Sequence, residues 1–367
     1  MFVNVLGILA CLSFVLFLWQ FFLGMRFRSN LTSSATTFPP ITVLKPLKGC
    51  DAETEACLRT WLEQDYPGPV QILFGVNAEN DPAVTLVRTR LKSDVLVCPK
   101  GLGPNAKVST LAQLEPLIYY DLIIVSDADV AVPKDFLRQI AAFFEAQHPS
   151  LASCLYKLSG AANFAMRMEA FMVNSDFWSQ VLQSIALKPM KFALGAAMIV
   201  TREALGKLGG FGAIVDYLAD DFQLGYRVQG KVALCPAVVE CRSSPMTWGE
   251  MWTHQIRWAR TIRVCQPAPF FFSIVSNPTI WPIAWAAASG AWIPICGILA
   301  LRGIAGAVLE RKLSGRFHVS SICLAPISDC LRSIFWVLAF AGNRIRWGGR
   351  TFRVSRGGKL RAETTGG

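Results

Sequence analysis

The sequence predicts an α/β protein: a mixed, mostly parallel sheet flanked by helices, with transmembrane helices at both ends. Three observations carry that expectation. From residue 41 onward, short apolar runs alternate with helix-length stretches at the spacing of βαβ units. One run, Leu122-Ile123-Ile124-Val125, is apolar without alternation, as in a strand buried on both faces. Hydrophobic residues make up 53% of the 367, above the usual globular share, and the excess sits at the two ends of the chain.

Residues 2–24 carry no charge, and Asn4, Ser13 and Gln20 are their clearly polar side chains, so the stretch is long enough to span a bilayer. It lacks a basic leader and a small-residue cleavage site, and Arg26 and Arg28 follow at once. These features favour a retained anchor over residues 1–28, its C-terminal side cytoplasmic, rather than a cleaved signal. Residues 29–40, Ser- and Thr-rich and closing on Pro39-Pro40, read as a linker.

Strands are expected at 41–44, 70–76, 95–97 and 122–125, with helices near 51–64, 81–92, 105–117 and 133–145. The second half of this domain, 151–266, offers fewer clean strands, at 196–200 and 232–239, and a helix over 248–265. Past Pro267 the chain is strongly apolar again. Residues 280–301 and 321–342 are each long enough to span, the latter despite Asp329 and Arg332, while 270–277 is aromatic and suited to the interface. After Pro267, three spans would place the basic tail, 344–367, outside, and two spans plus an interfacial segment would keep it inside. The expectation is therefore two C-terminal spans in addition to the N-terminal anchor, with 267–343 holding interfacial and spanning segments.

The formal charge of +11 is concentrated late in the sequence. From Arg302 to the end there are 12 Lys/Arg against 3 Asp/Glu, a surplus of 9 that leaves 2 for everything earlier. A basic end beside apolar segments points to anionic lipid headgroups and to no nucleic acid partner. The 11 cysteines form no Cys-x-x-Cys pair, which favours reduced thiols over a zinc site or disulfide framework.

The apolar run of the fourth strand stops at Asp127-Ala128-Asp129, where open α/β sheets place ligands. Two carboxylates one residue apart can approach one hard cation, Mg²⁺ or Mn²⁺, while water and a substrate phosphate complete its shell. An Asp-rich turn before a helix is the simpler alternative. Asp220-Asp221 either cap a helix or supply a general base. His254, Arg257 and Trp258 share one face of the 248–265 helix by three- and four-residue spacing. There a guanidinium can grip a diphosphate and an indole can wall a sugar or base. The competing reading is an amphipathic helix floating on the membrane. Gly101-Leu102-Gly103-Pro104-Asn105-Ala106-Lys107 is a Gly-rich entry to a helix where Lys107 can meet phosphate. Asp81, before Pro82, reads first as a turn initiator.

Together and in this order, the pieces resemble the ceramide glucosyltransferase family of processive-type, inverting GT-A glycosyltransferases over residues 41–266. Leu44-Lys45-Pro46-Leu47-Lys48-Gly49 is similar to that family's opening strand. Asp81, Asp127 and Asp221 fall at its three aspartates, and Arg257-Trp258 at the end of its (Gln/Arg)-x-x-Arg-Trp motif. Two positions depart from it: His254 opens the last motif, and Ala128-Asp129 follows the second aspartate. Both departures look like bacterial members, among them the hopanoid glycosyltransferases that move N-acetylglucosamine onto bacteriohopanetetrol. The resemblance implies a UDP-sugar donor (glucose or N-acetylglucosamine) and a lipid hydroxyl acceptor such as ceramide or a hopanoid polyol. It puts uridine near Lys45, Pro46 and Asp81 and the diphosphate near Lys107 and Arg257, with Asp127, His254 and Trp258 also counted as donor-binding. Metal is implied at Asp127 and Asp129, and the base is Asp221 with Asp220 as the alternative. The site would face the cytoplasm, at a bacterial inner membrane. A non-catalytic membrane adaptor and a polysaccharide synthase are the rival readings, and oligomeric state is left open.

Overall fold

The computed structural model describes residues 1–29 and 35–362. The linker expected at 29–40 and the last residues of the tail therefore lie partly outside the described residues. Helix α1 (Phe2–Arg26) leads into an eight-stranded sheet. Its strands are β1 (Ile41–Pro46), β2 (Val70–Val76), β3 (Val95–Val97), β4 (Leu122–Ser126), β5 (Val130–Ala131), β6 (Leu151–Ser159), β7 (Ala197–Thr201) and β8 (Val232–Arg242). They lie in the order β3-β2-β1-β4-β7-β6-β8-β5. The first four are parallel, whereas β7 runs antiparallel to both β4 and β6.

The connections carry α2 (Thr54–Leu62), α3 (Pro82–Thr85), α4 (Ala106–Leu114), α5 (Phe136–Gln147), α6 (Phe164–Phe171), α7 (Trp178–Leu187), α8 (Arg202–Leu208) and α9 (Asp220–Arg227). Local chemistry starts several of them. Asp81 accepts from Ala83 N with Pro82 at the first helical position, and Asn105 accepts from Val108 N. α10 (Trp248–Cys265) opens on a reciprocal pair in which Thr247 and Glu250 each take the other's backbone N–H.

Both faces of the central strands are covered, which is why β4 shows no alternation. Ile124, with Ile41 and Val43 of β1, packs against Trp61, Phe136 and Ile140. Ile123 and Val125 pack on the other side with Leu44, Val108 and Leu111. Strand β6, unforeseen in the sequence, sits between β7 and β8 with Ala152 and Cys154 fully buried.

Past α10 come α11 (Pro267–Phe272), α12 (Ile280–Ser289), α13 (Trp292–Ser314) and α14 (Ser320–Phe340). The single span expected at 280–301 is two helices, because α12 ends on Gly290 in a left-handed conformation, φ +77°. Among the described residues three helices, α1, α13 and α14, are long and apolar enough to cross a membrane. α13 and α14 approach closely at Gly303, where a Cβ would lie 2.5 Å from Ile322 O. α1 packs along α7 and α12, and its Gln20 Nε2 donates to Ser179 Oγ at 2.7 Å.

The basic tail is folded. β9 (Arg344–Trp347), β10 (Arg350–Val354) and β11 (Leu360–Ala362) form an antiparallel sheet that docks on the α/β domain. Leu218 N donates to Gly358 O (2.9 Å), Leu360 N to Asp216 O (2.8 Å), and Gln223 Nε2 to Gly357 O (2.7 Å). Ile345, Phe352, Val354 and Leu360 close over Leu218 and Val264. This contact puts tail and domain on one side of any membrane the helices cross, which requires an even number of crossings between them. α13 and α14 supply two, the number of C-terminal spans expected from the sequence, and two keep the tail with the domain.

Candidate active site

The fourth strand delivers its carboxylates through a backbone held from below. Lys45 is fully buried; its Nζ donates to Ser126 Oγ (3.2 Å) and to Asp127 O, and stands 4.7 Å from the centre of the Trp61 ring. Burial pulls this ammonium down to about 8 against the raising effect of Asp127 and Asp129. Neither Lys45 nor Pro46, both expected to meet the donor, is among the residues that line the cleft described below, and the Lys45 head is engaged beneath the turn it supports. From the far side, Arg242 N donates to Asp129 O at 2.9 Å.

Above that turn lies a cleft of about 710 Å³, within the size range of small-molecule sites. Asp127, Asp129, Lys107, Asp220, Asp221, His254, Arg257 and Trp258, scattered over 152 positions of sequence from 107 to 258, all line it. Lys107, in the first turn of α4, sits between two of the carboxylates: Nζ is 2.7 Å from Asp127 Oδ1 and 3.0 Å from Asp220 Oδ2. Burial would lower this lysine, but the two aspartates outweigh it and hold it charged.

The two adjacent acids at the start of α9 part company here. Asp220 has the lysine. Among the described residues the Asp221 carboxylate accepts from the N–H of Phe222 alone, 2.7 Å from Oδ1, and its Oδ2 lies 3.2 Å from where a Cβ on Gly195 would stand. Burial, then the neighbouring Asp220, push Asp221 up to about 7. Asp129 is likewise raised, to about 6, by burial in the cleft and by Asp127, and no cation pairs with it among the described residues.

α10 contributes the opposite wall. His254 Nδ1 lies 2.7 Å from Glu169 Oε1, which also accepts from Gln255 Nε2 at 2.8 Å. Glu169, buried on α6, had no signal in the sequence that could have tied it to a histidine 85 positions on. The His254 ring meets Trp258 edge-on, centroids 4.6 Å apart. Arg257 has no ion-pair partner among the described residues, and burial lowers it despite Asp127, Glu169 and Asp221. Its neighbours on the outer face are engaged by the protein itself. Arg260 donates to Arg344 O, and Arg263 donates to Asn343 Oδ1 and lies over Phe340. Trp347 of the tail sheet also reaches the cleft.

Asp81 is not among the lining residues. Its two oxygens accept from Gly49 N at 2.9 and 3.0 Å while one also caps α3, so it ties the loop after β1 to the loop after β2. The turn-forming reading describes what it does in this structure.

For a divalent cation, the donor set is two carboxylates at one strand end, one of them without an ion-pair partner among the described residues. Among the described residues, no three His, Cys, Asp or Glu side chains gather as a complete metal cage. Two protein oxygens with room for water and phosphate suit Mg²⁺ or Mn²⁺ better than a protein-enclosed ion.

A family model described as Glycosyl transferase family 21 matches residues 4–360. Among curated proteins, a ceramide glucosyltransferase of Komagataella phaffii is 35% identical over 102 residues, 25% of this chain and 20% of that protein. A beta-monoglucosyldiacylglycerol synthase of Synechocystis is 26% identical over 243 residues, 62% of this chain and 49% of that protein. The chain thus spans half or less of the length of these relatives. A mannosyltransferase of Pyrobaculum calidifontis, solved with GDP-Man and Mn²⁺, superposes with a TM-score of 0.54 at 19% identity, covering 90% of this chain and 97% of that one. That likeness is one of fold, GT-A-like, and the mixed sheet with flanking helices agrees with it.

Proposed function

The chain belongs to glycosyl transferase family 21, and from that premise we propose that it moves a sugar from a UDP-sugar to the hydroxyl of a membrane lipid, inverting the anomeric centre. One observation carries the reading: Lys107 bridges Asp127 and Asp220 in the same cleft where Asp221 is raised to about 7 and where, among the described residues, Arg257 has no ion-pair partner. Environments that drive neighbouring carboxyls apart mark acid–base assignments. The relatives' names, ceramide glucosyltransferase and beta-monoglucosyldiacylglycerol synthase, support glucose as the sugar and a neutral lipid as the acceptor.

In this reading Asp221 takes the proton of the acceptor hydroxyl. The oxygen forms its bond to the anomeric carbon, and the bond from that carbon to the diphosphate breaks, its electron pair leaving with UDP. Arg257 offers a two-pronged donor to the departing diphosphate, and Lys107 can turn from its aspartates toward the same charge. His254, its Nδ1 held by Glu169, presents its other nitrogen to the cleft, and Trp258 walls the sugar. A Mg²⁺ or Mn²⁺ held by Asp127 and Asp129 supplies positive charge against the leaving diphosphate. The Mn²⁺ in the mannosyltransferase supports that choice. A hopanoid polyol stays among the acceptors to be tried, and so does N-acetylglucosamine as the sugar.

The test is a matrix. The full chain in mixed micelles receives UDP-glucose or UDP-N-acetylglucosamine, each with ceramide, diacylglycerol or bacteriohopanetetrol, and lipid products are weighed by mass spectrometry. A new lipid mass heavier by one sugar, released with one UDP, is the expected result. UDP release with no lipid product in any cell would defeat lipid transfer.

A further inference from the structure

A second cavity, of about 350 Å³, lies against the catalytic cleft on the side of the candidate membrane helices. The two share Phe177, Trp258, Ile262 and Gln266, so the α10 wall of the cleft is also a wall of this space. Its other boundaries are Phe17 and Gln20 of α1, the aromatic stretch at Phe270, and Arg302, Arg332 and Trp336 of α13 and α14. At its mouth Ile262 is exposed, and Phe271 and Phe272 stand in solvent on the neighbouring turn. Exposed aromatic rings beside spanning-length helices belong at a bilayer interface.

The charges on its walls cancel. Arg302, fully buried, pairs with Asp176 at 2.9 Å and with Asp329 at 2.9 Å, and Arg332 lies 3.1 Å from the same Asp176. Two arginines against two aspartates leave no net field for an anion. The remaining polar lining, Gln20, Gln180, Gln255, Gln266, Asn277 and four serines, is amide and hydroxyl. Such walls suit a ligand with hydroxyl and amide groups and no charge, since an uncompensated phosphate buried here would lack a counter-ion. The volume admits a lipid head and the start of its chains, and the rest must stay in the membrane past Phe271 and Phe272.

We propose that this cavity is the acceptor site: it takes the head of a neutral, hydroxyl-bearing lipid from the bilayer and presents the hydroxyl past Trp258 to the cleft. The proposal rests on the glycosyltransferase reading above. Trp258 then divides donor from acceptor, rather than serving the donor alone, which accounts for its place on both walls.

The experiment fills the cavity without touching the cleft. Gln180 and Ser273 line the first and not the second. Gln180→Trp and Ser273→Trp should each raise the KM for the lipid roughly tenfold or more, as an inserted ring competes with the head for space, with the KM for the UDP-sugar unmoved. A binding arm needs no turnover: the full chain in dodecylmaltoside micelles is melted with N-hexanoyl sphingosine, dioctanoylglycerol or anionic dioctanoyl phosphatidylglycerol. Either neutral lipid should raise Tm, the phosphatidylglycerol should not, and both Trp variants should abolish the rise. Unchanged lipid KM in both Trp variants overturns the cavity as acceptor site while leaving the glycosyltransferase reading standing. Equal protection by phosphatidylglycerol overturns the neutral-head assignment. No UDP release from the parent protein under any condition defeats the functional reading instead, and the melting arm still decides the cavity.

Discussion

Lys107 Nζ stands 2.7 Å from Asp127 Oδ1, an ion pair that joins the first turn of α4 to the end of β4 across 20 positions of sequence. The same ammonium reaches Asp220, so one cation organises acids from two ends of the domain. Replacing it by glutamine removes the positive charge that lowers Asp221 and leaves the repulsion of Asp220 and Asp127 in place. Lys107→Gln should therefore displace the acid limb of the rate profile to higher pH. A pH–rate profile of the variant with its acid limb unmoved would separate Lys107 from the base.

Among the described residues Asp129 lines the cleft without an ion-pair partner, and Asp127 is paired with Lys107. Asp129→Ala and Asp127→Ala should both abolish transfer with expression and membrane insertion intact, and chelation with EDTA should do the same to the parent protein until Mg²⁺ or Mn²⁺ is returned. Turnover that survives both chelation and Asp129→Ala would remove the metal from the account.

His254 stands where related sequences are expected to carry Gln or Arg, and the structure suggests why the position is permissive. Its Nδ1 partners Glu169, a contact that a glutamine amide can reproduce. His254→Gln should keep most activity. His254→Leu leaves the buried Glu169 with Gln255 as its remaining partner and should lower stability by about 1–3 kcal/mol, the penalty for an unsatisfied buried acceptor. Chemical denaturation of the two variants in the same detergent reads the difference.

Arg257→Lys should raise the donor KM or lower turnover, because an ammonium cannot reproduce the planar, two-pronged contact with a diphosphate. Arg263, by contrast, is bonded to Asn343 beside the tail sheet, and Arg263→Lys acts on that contact. It should cost thermal stability with little change in donor KM. Donor kinetics and melting curves on both variants distinguish the roles, and equal small effects in the two would defeat the active-site role of Arg257.

The sheet's first half was legible because propensity and packing agree there. β2 and β3 appear at the positions the apolar runs predict, β1 and β4 run one or two residues further at their C-terminal ends, and α10 has the expected limits. β6 was not legible: Leu151-Ala152-Ser153-Cys154 holds small residues with little strand propensity, and its partners β7 and β8 lie tens of residues away. The tail sheet did carry a signal that the charge count obscured. Arg344-Ile345-Arg346-Trp347 and Phe352-Arg353-Val354 alternate apolar with basic around Gly348-Gly349, whose φ values are +58° and +81°. That is the pattern of a two-residue hairpin, and reading its arginines as a lipid-seeking tail passed over the alternation. At the site, clustering of the acids with α10 was foreseeable from motif order. The burial of Lys45 and the clamp by Asp81 were not, because spacing says nothing about which way a strand-end side chain turns.

The most direct measurement is the Asp221→Asn variant, assayed for lipid glycoside by mass spectrometry and for stability by melting at pH 5 and pH 8. A carboxyl raised from the ordinary ~3.9 to about 7 in the fold binds more protons folded than unfolded between those values. Its contribution to stability is therefore full below the ordinary value and lost as pH rises through about 7. Above that, the buried charge is a cost that asparagine removes. The account predicts that parent activity falls as pH drops below about 7, and that the variant loses ~10²–10⁴-fold in glycoside formation. At pH 8 the variant should melt no lower than the parent, with the UDP-sugar still bound. A variant that forms lipid glycoside at near-parental rate would contradict the assignment of Asp221 as the base, and with it the chemistry proposed for the cleft.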